Sequence, residues 1–435
     1  MEFSSLFWVV PFLGIILSMS FLPLLFPRFW EERSFFIMLF WVGLYLVFIS
    51  CFFGIDKIIY AALKPIIGEY ISFIVLIFSL YVVSGGIFLN FQGYHGPIFN
   101  TTFLFLGSIL AGWIGTTGAA ALLIRPFLRA NMRRKHNTHL VVFFIFLLAN
   151  VGGAATPLGD PPLFIGFLNG VDFFWFIKNL YKILFSTIIV LCFIFFLIDS
   201  YFYRNDHLLV EEDVKPNVEI KGRLNMLLIA LILLVVVFSS FNRSFIFAGE
   251  KYSISALVRN IVLLLIAFIS LKFTSKDVRQ KNHFSLEPIK EVAELFAGIF
   301  VTVAPIINML HQGVNGSFGK LFSIIAPNGE FAASKCFWIS GLLSSILDNA
   351  PTFLIFFHLT SGDANILMAT KANILTAFSV STVFMGALTY IGNAPNLIVR
   401  SVSTNYKMKV PSFLGYIAWS SSILLPIFAI IAYFL

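Results

Sequence analysis

Long apolar stretches, broken by short polar or basic runs, recur along the whole chain. A helix needs about 20 mostly apolar residues to cross a bilayer core, and ten stretches approach that length: about 7–26, 34–53, 71–91, 139–160, 181–202, 224–241, 254–273, 291–310, 373–399 and 410–435. Two more, 101–129 and 336–359, carry Gly, Pro, Thr, Asp or Asn near their middles. Backbone that leaves the helix inside lipid must find its hydrogen bonds in protein or in a water-filled cavity, so these two predict re-entrant hairpins. The pattern predicts an all-α membrane protein of about ten transmembrane helices plus two hairpins.

The basic residues orient this layout. Arg28, Arg33 and the loops Arg125–Lys135, Arg204–Arg223, Lys272–Lys290 and Arg400–Lys409 all fall on one side and hold most of the 29 Lys and Arg residues. By the positive-inside rule that side is cytoplasmic, and both termini face outward. The first hairpin then enters from inside and the second from outside, so the chain reads as two inverted-topology repeats with broken helices at the midplane. Residues 1–202 form the first half, with a broken helix over 139–170. Residues 203–223, which include Glu211, Glu212, Asp213 and Pro216, form a cytoplasmic linker, and 224–435 the second half.

Composition excludes the other broad classes. The chain is 59% hydrophobic and 11% charged, against about 25% charged in ordinary soluble domains. Its net charge of +8 reflects topology and not an acidic partner, so no nucleic acid is expected. The first apolar stretch follows Glu2 and lacks a small-residue cleavage site, which makes it a first span and not a removable leader. Cys51, Cys192 and Cys336 lie far apart without metal-ligand spacing and read as small buried hydrophobes. The 54 phenylalanines are assigned no function, since lipid-facing helix surface tolerates any large apolar side chain.

An internal repeat supports the two halves independently. Residues 153–162 (GAATPLGDPP) align without gaps on 386–395 (GALTYIGNAP), and the same register sets Thr116-Thr117-Gly118 of the first hairpin opposite Asn349-Ala350-Pro351 of the second. Each break carries an Asx residue shortly before proline: Asp160, Asp348 with Asn349, and Asn393. An Asx cap with proline in the first turn starts a half-helix.

Transporters built from such repeats bind substrate and coupling ion where half-helix ends meet. An ionisable group within a span costs at least about 2.5 kcal/mol on insertion scales and usually marks an ion pathway, so Asp160 and Asp348 are the leading candidates, as transient ligands of Na⁺ exchanged against H⁺. Thr116, Thr117, Thr156, Thr352 and Thr389 offer hydroxyls beside the breaks. Asn349, Asn393 and Asn150 offer amides, and Gly118, Gly159 and Gly392 complete the candidate site. Gly152 and Gly153 allow close helix approach. His95, His136, His139 and His358 read as loop or interfacial histidines, and Arg125 as a snorkelling side chain. No cofactor is expected beyond Na⁺ and H⁺.

Residues 149–160 (ANVGGAATPLGD) resemble the broken-helix signature of sodium/proton antiporters of the ion transporter superfamily, and 347–352 (LDNAPT) their second hairpin. Gly115-Thr116-Thr117-Gly118-Ala119, Arg125-Pro126 and Gly159-Asp160-Pro161-Pro162 are similar to the bacterial branch labelled citrate transporter or sodium:proton antiporter. The resemblance implies a two-hairpin, inverted-repeat carrier of the inner membrane, commonly a homodimer, with a mobile transport region moving against a scaffold. Carboxylate carriers of that superfamily often show Ser-Asn-Thr at both hairpins, which this chain lacks, and arsenite exporters an Asn-Asp pair where it has Thr116-Thr117.

The leading expectation is therefore Na⁺ or Li⁺ exchange for H⁺ by alternating access, with Na⁺- or H⁺-coupled citrate or dicarboxylate transport as the alternative. Arsenite export is more distant. So is an intramembrane aspartyl protease, since Pro157-Leu158-Gly159-Asp160 lacks the first glycine of the Gly-x-Gly-Asp motif such enzymes carry. The partners expected are a small ion or small-molecule substrate and the lipid bilayer, and no enzymatic activity is expected.

Overall fold

The computed structural model describes residues 3, 5–92, 96–206, 217–239, 244–247, 250–326 and 330–435. His95 and the acidic part of the linker, Glu211 to Asp213 with Pro216, lie outside the described residues. The chain is all-α in architecture, with two short antiparallel strand pairs as its only strands among the described residues. The first half runs α1 (Val10–Leu25), α2 (Pro27–Phe53), α3 (Asp56–Pro65), α4 (Ile71–Ser84), α5 (Pro97–Ile114), α6 (Thr116–Asn131), α7 (Thr138–Leu147), α8 (Pro161–Leu168) and α9 (Phe173–Asp206). The second runs α10 (Arg223–Val237), α11 (Ile254–Phe273), α12 (Lys276–Lys281), α13 (Glu287–Thr302), α14 (Ala304–His311), α15 (Gly319–Ile325), α16 (Ala333–Leu347), α17 (Asn349–Thr360), α18 (Ala364–Ala369), α19 (Ala372–Met385), α20 (Ala394–Asn405) and α21 (Phe413–Phe434).

Nine helices among the described residues are long and apolar enough to cross a membrane, and the protein is a multi-pass membrane protein. The tally of ten spans changes for local reasons. The 224–241 stretch yields only the 15 residues of α10, and 373–399 breaks after Met385. Conversely, α5 alone qualifies as a crossing helix. The span expected to start at residue 71 is the second part of a 29-residue helix, Asp56–Ser84, which passes Pro65 through one π-helical turn at Ile66–Tyr70. It ends at Ser84 and not at 91, because Gly85-Gly86 follow and Phe88–Gln92 is a strand paired antiparallel with Asn217–Lys221. The expected linker loop is thus partly ordered: α9 continues to Asp206 and 217–221 is that second strand.

Burial separates the helices into inner and outer sets. Of the Thr138–Ala155 segment 89% is buried, against 17% of Glu32–Phe53 and 22% of Phe413–Phe434. Broken helices and hairpins therefore occupy the interior, where their irregular backbone can be satisfied by protein. The outer helices turn Phe36, Phe40, Phe193 and Phe268 outward, an arrangement lipid tolerates and water would not.

The repeat is visible in the backbone. At the offset of 233 that separates Asp160 from Asn393, α5–α6 corresponds to α16–α17, the 3₁₀ turn Val151–Ala155 to Gly386–Leu388, and α8 to α20. Each hairpin turns on one residue in the same unusual conformation: Gly115 (φ 83°, ψ 142°) and Asp348 (φ 78°, ψ 152°). One packing contact reverses between the copies. A side chain at Gly152 would strike the carbonyl of Ser108 on α5, whereas in the second copy it is α16 that carries the glycine, Gly341, against Met385.

Candidate functional site

After α7 the chain passes Asn150, makes the 3₁₀ turn and becomes extended at Thr156 and again at Asp160. Pro161 and Pro162 follow; proline lacks an amide hydrogen and disfavours helix in the residue before it, so a new helix must start there. The second copy repeats this path, with Asn393 extended before Ala394-Pro395. Gly159 and Gly392 are obligatory in these turns: an added Cβ would lie 2.2 Å from the Gly153 carbonyl oxygen and 2.6 Å from that of Gly386.

Asp160 and Asn393 do not cap their own helices, contrary to the Asx-cap expectation. Their side chains meet instead. Asp160, 2% exposed, accepts from Thr116 Oγ1 (2.6 Å), Asn349 Nδ2 (2.7 Å) and Asn393 Nδ2 (3.2 Å). First hairpin, second hairpin and second break thus converge on one carboxylate. No Lys, Arg or His among the described residues lies within 4.0 Å of it.

The residue that faces Asp160 across the repeat is therefore Asn393, not Asp348. Asp348 sits one residue from Asn349, is 5% exposed, and accepts the Ala350 amide at 3.3 Å as a true cap. Asp348 is joined to Asp160 through its neighbour Asn349, whose Nδ2 donates to that carboxylate. Behind them the amides continue: Asn393 Nδ2 also donates to the Ala149 carbonyl (3.0 Å), and Asn150 Nδ2 to Asn396 Oδ1 (2.8 Å). Asn396 in turn holds the carbonyls of Gly386 and Thr389, both at 2.9 Å. Ser344 Oγ orients Asn349 by donating to its Oδ1 at 2.7 Å. Asn396 and Ser344 escaped the sequence reading, although Asn396 lies one helical turn beyond Asn393.

The threonines divide. Thr116 touches Asp160, and Thr117 and Gly118 line a cavity of about 30 Å³ beside it, walled by α4 and Phe164. Thr156 and Thr389 spend their hydroxyl hydrogens on Gly112 and Ser345, which are themselves matched positions, and so brace each break against its hairpin. Thr352 donates to the Asp348 carbonyl at 2.8 Å along its own helix. These three form the frame and do not touch the carboxylate. Arg125 donates to the Ala121 carbonyl at 3.1 Å and takes no part.

A second polar cluster lies apart from this site. Asp199, fully buried on α9, accepts from Arg134, from His139 (2.8 Å) and from Asn100 (2.9 Å). Asp206 pairs with His136 at 2.8 Å, and the Phe202 ring stacks between the two histidines. Burial pushes the Asp206 carboxyl up, but hydrogen bonds from the His136 ring and amide and the charge of Arg134 outweigh it, leaving it below the usual carboxylate range. The cluster ties the loop between α6 and α7 to α9. His136 and His139, expected to be bland, are here hydrogen-bonded to buried carboxylates.

Helical hairpins and half-helices surround a buried carboxylate inside this membrane bundle, and the family match makes the bundle a secondary transporter. The chain belongs to the family described as "Putative citrate transport", whose profile matches residues 1–435. No curated protein matches it. The family membership supports the citrate-transporter-like part of the resemblance and does not single out the sodium/proton antiporter branch.

Proposed function

We propose that this chain is a cation-coupled carrier of small carboxylates of the citrate type, with Asp160 as the coupling-ion site and Asp348 beside it. One observation carries the reading: Asp160 is buried, receives three neutral donors and has no basic partner among the described residues. An ionised carboxylate taken from water into protein costs several kcal/mol unless a positive charge accompanies it. A Na⁺ or a proton would supply that charge. The adjacent cavity of about 30 Å³ has room for a water-sized guest, which suits a dehydrated cation. Family membership supports the carboxylate as the other substrate.

The two halves would act as inverted repeats in the inner membrane, with both termini outward, and expose the Asp160 site to each side in turn. Binding Na⁺ requires the Asn349 and Asn393 amides to turn oxygen in place of N–H toward the ion, whereas the Thr116 hydroxyl keeps lone pairs for it while donating to Asp160. Proteoliposomes with imposed Na⁺ or pH gradients test the proposal. Citrate uptake should follow one of the gradients and vanish in Asp160→Asn. If Na⁺ instead collapses a pH gradient with no carboxylate present, the pair of neighbouring aspartates is exchanging Na⁺ for H⁺, and the antiport reading replaces this one.

A further inference from the structure

A cavity of about 920 Å³ opens beyond the far end of α8, between the Lys64–Ser72 segment, the start of α11 and the join of α13 to α14. Arg259, six residues beyond Ser253, the cap of α11, lines it and is only 5% exposed. Its Nε and Nη2 are buried without a hydrogen-bond partner, and no carboxylate among the described residues lies within 4.0 Å of it. The guanidinium sits 5.9 Å from the ring centroids of Phe164 and of Phe167, which attract its charge but leave its N–H donors unspent. A buried cation with unused donors is costly unless a ligand completes it.

The surroundings point to an oxyanion. The N-terminus of the 20-residue α11 opens on the same cavity, with Ser253 capping the Ala256 amide, and helix N-termini favour negative charge. Of the two acidic residues of the lining, Glu69 and Asp172, the latter is engaged elsewhere, accepting the amides of Phe174 and Trp175. A planar fork such as guanidinium is matched to carboxylate.

We infer that this cavity is a vestibule in which Arg259 captures the carboxylate of the transported anion. The inference rests on the function proposed above. Phe164 connects the two chambers, since it walls the small cavity at Asp160 and lies beside Arg259. The guanidinium thus lies beside the middle and end of α8, and Asp160 immediately precedes its first residue.

The test is a binding measurement that requires no transport. Ala256→Cys, which places a thiol on the lining, is prepared with Cys51→Ser and labelled by a membrane-impermeant maleimide in nanodiscs of neutral lipid without ion gradients. Citrate should slow labelling, and Arg259→Gln should raise the half-protecting citrate concentration about 10- to 100-fold, as loss of a charged hydrogen bond predicts. Arg259→Lys should fall between. A monodisperse elution profile for each variant guards against misfolding. Equal labelling rates with and without citrate in the Arg259 protein overturn the inference. Slowing only when phosphatidylglycerol is added would assign the guanidinium to a lipid headgroup and overturn it as well. Protection without citrate uptake would keep the vestibule and end the proposed function; uptake without protection would do the reverse.

Discussion

Replacing Asp348 by glycine should separate the charge of this residue from its backbone role. Asp348 holds φ 78°, ψ 152°, a region that is nearly glycine-only and costs a residue with a side chain about 1–3 kcal/mol. The matched residue of the first hairpin, Gly115, holds φ 83°, ψ 142°, which shows that glycine serves this turn. Against the strain relief stand the extra chain entropy of glycine, about 0.5–1 kcal/mol, and the Ala350 cap, worth a few tenths when Gly replaces Asp. The balance favours Asp348→Gly by about 1 kcal/mol. Asp348→Asn retains both strain and a capping oxygen and removes only the charge. Thermal unfolding in detergent should therefore give Asp348→Gly an apparent Tm at or above the parent, while both variants lose the Na⁺ or H⁺ dependence of transport. An Asp348→Gly protein several degrees less stable than the parent would refute the strain argument. An Asp348→Asn protein with unchanged ion dependence would remove this carboxylate from the coupling site.

Asp199→Asn should destabilise the protein by about 3–5 kcal/mol, the cost of leaving a buried charge such as Arg134 poorly paired, and should leave the ion concentration for half-maximal transport unchanged. Asp206 has a folded pKa below its unfolded value, so its stabilisation is complete above about pH 4 to 5 and is lost as pH falls through the lower folded value; the Tm gap between parent and Asp206→Asn should narrow as pH falls below about 4. Gly159→Ala and Gly392→Ala should each abolish folded yield, because the added carbon meets a backbone carbonyl. Gly43→Ala, with nothing within 4 Å of the added carbon, should be neutral or stabilising, and equal yields for all three would refute the close-approach argument.

The hairpins and breaks were legible because backbone constraints are written locally: proline after Asp160, the Asx residues, and a register in which both features of one half find their counterparts in the other. The partner of each side chain was not legible in the same way. The repeat register makes Asn393 the counterpart of Asp160, but that their side chains meet depends on how the copies pack. Thr156 and Thr389 are equivalent in sequence to any other candidate ligand, and only their bonds to Gly112 and Ser345 reveal bracing. Arg259 carried a readable signal, a lone arginine near the start of an apolar span, that was passed over. Asp199 carried a weaker one, because its place near the end of a long helix suggests an interface and not a buried ion pair.

The reversed glycine contact has a consequence for how the halves can be altered. Where α5 meets its break, the break gives way at Gly152; where α16 meets Met385, the helix gives way at Gly341. The copies share a main-chain trajectory while allotting steric relief to opposite partners, so a substitution harmless in one half has no licence at its counterpart. Duplicated architecture here does not mean interchangeable parts, and any chimera must exchange both members of the contact together.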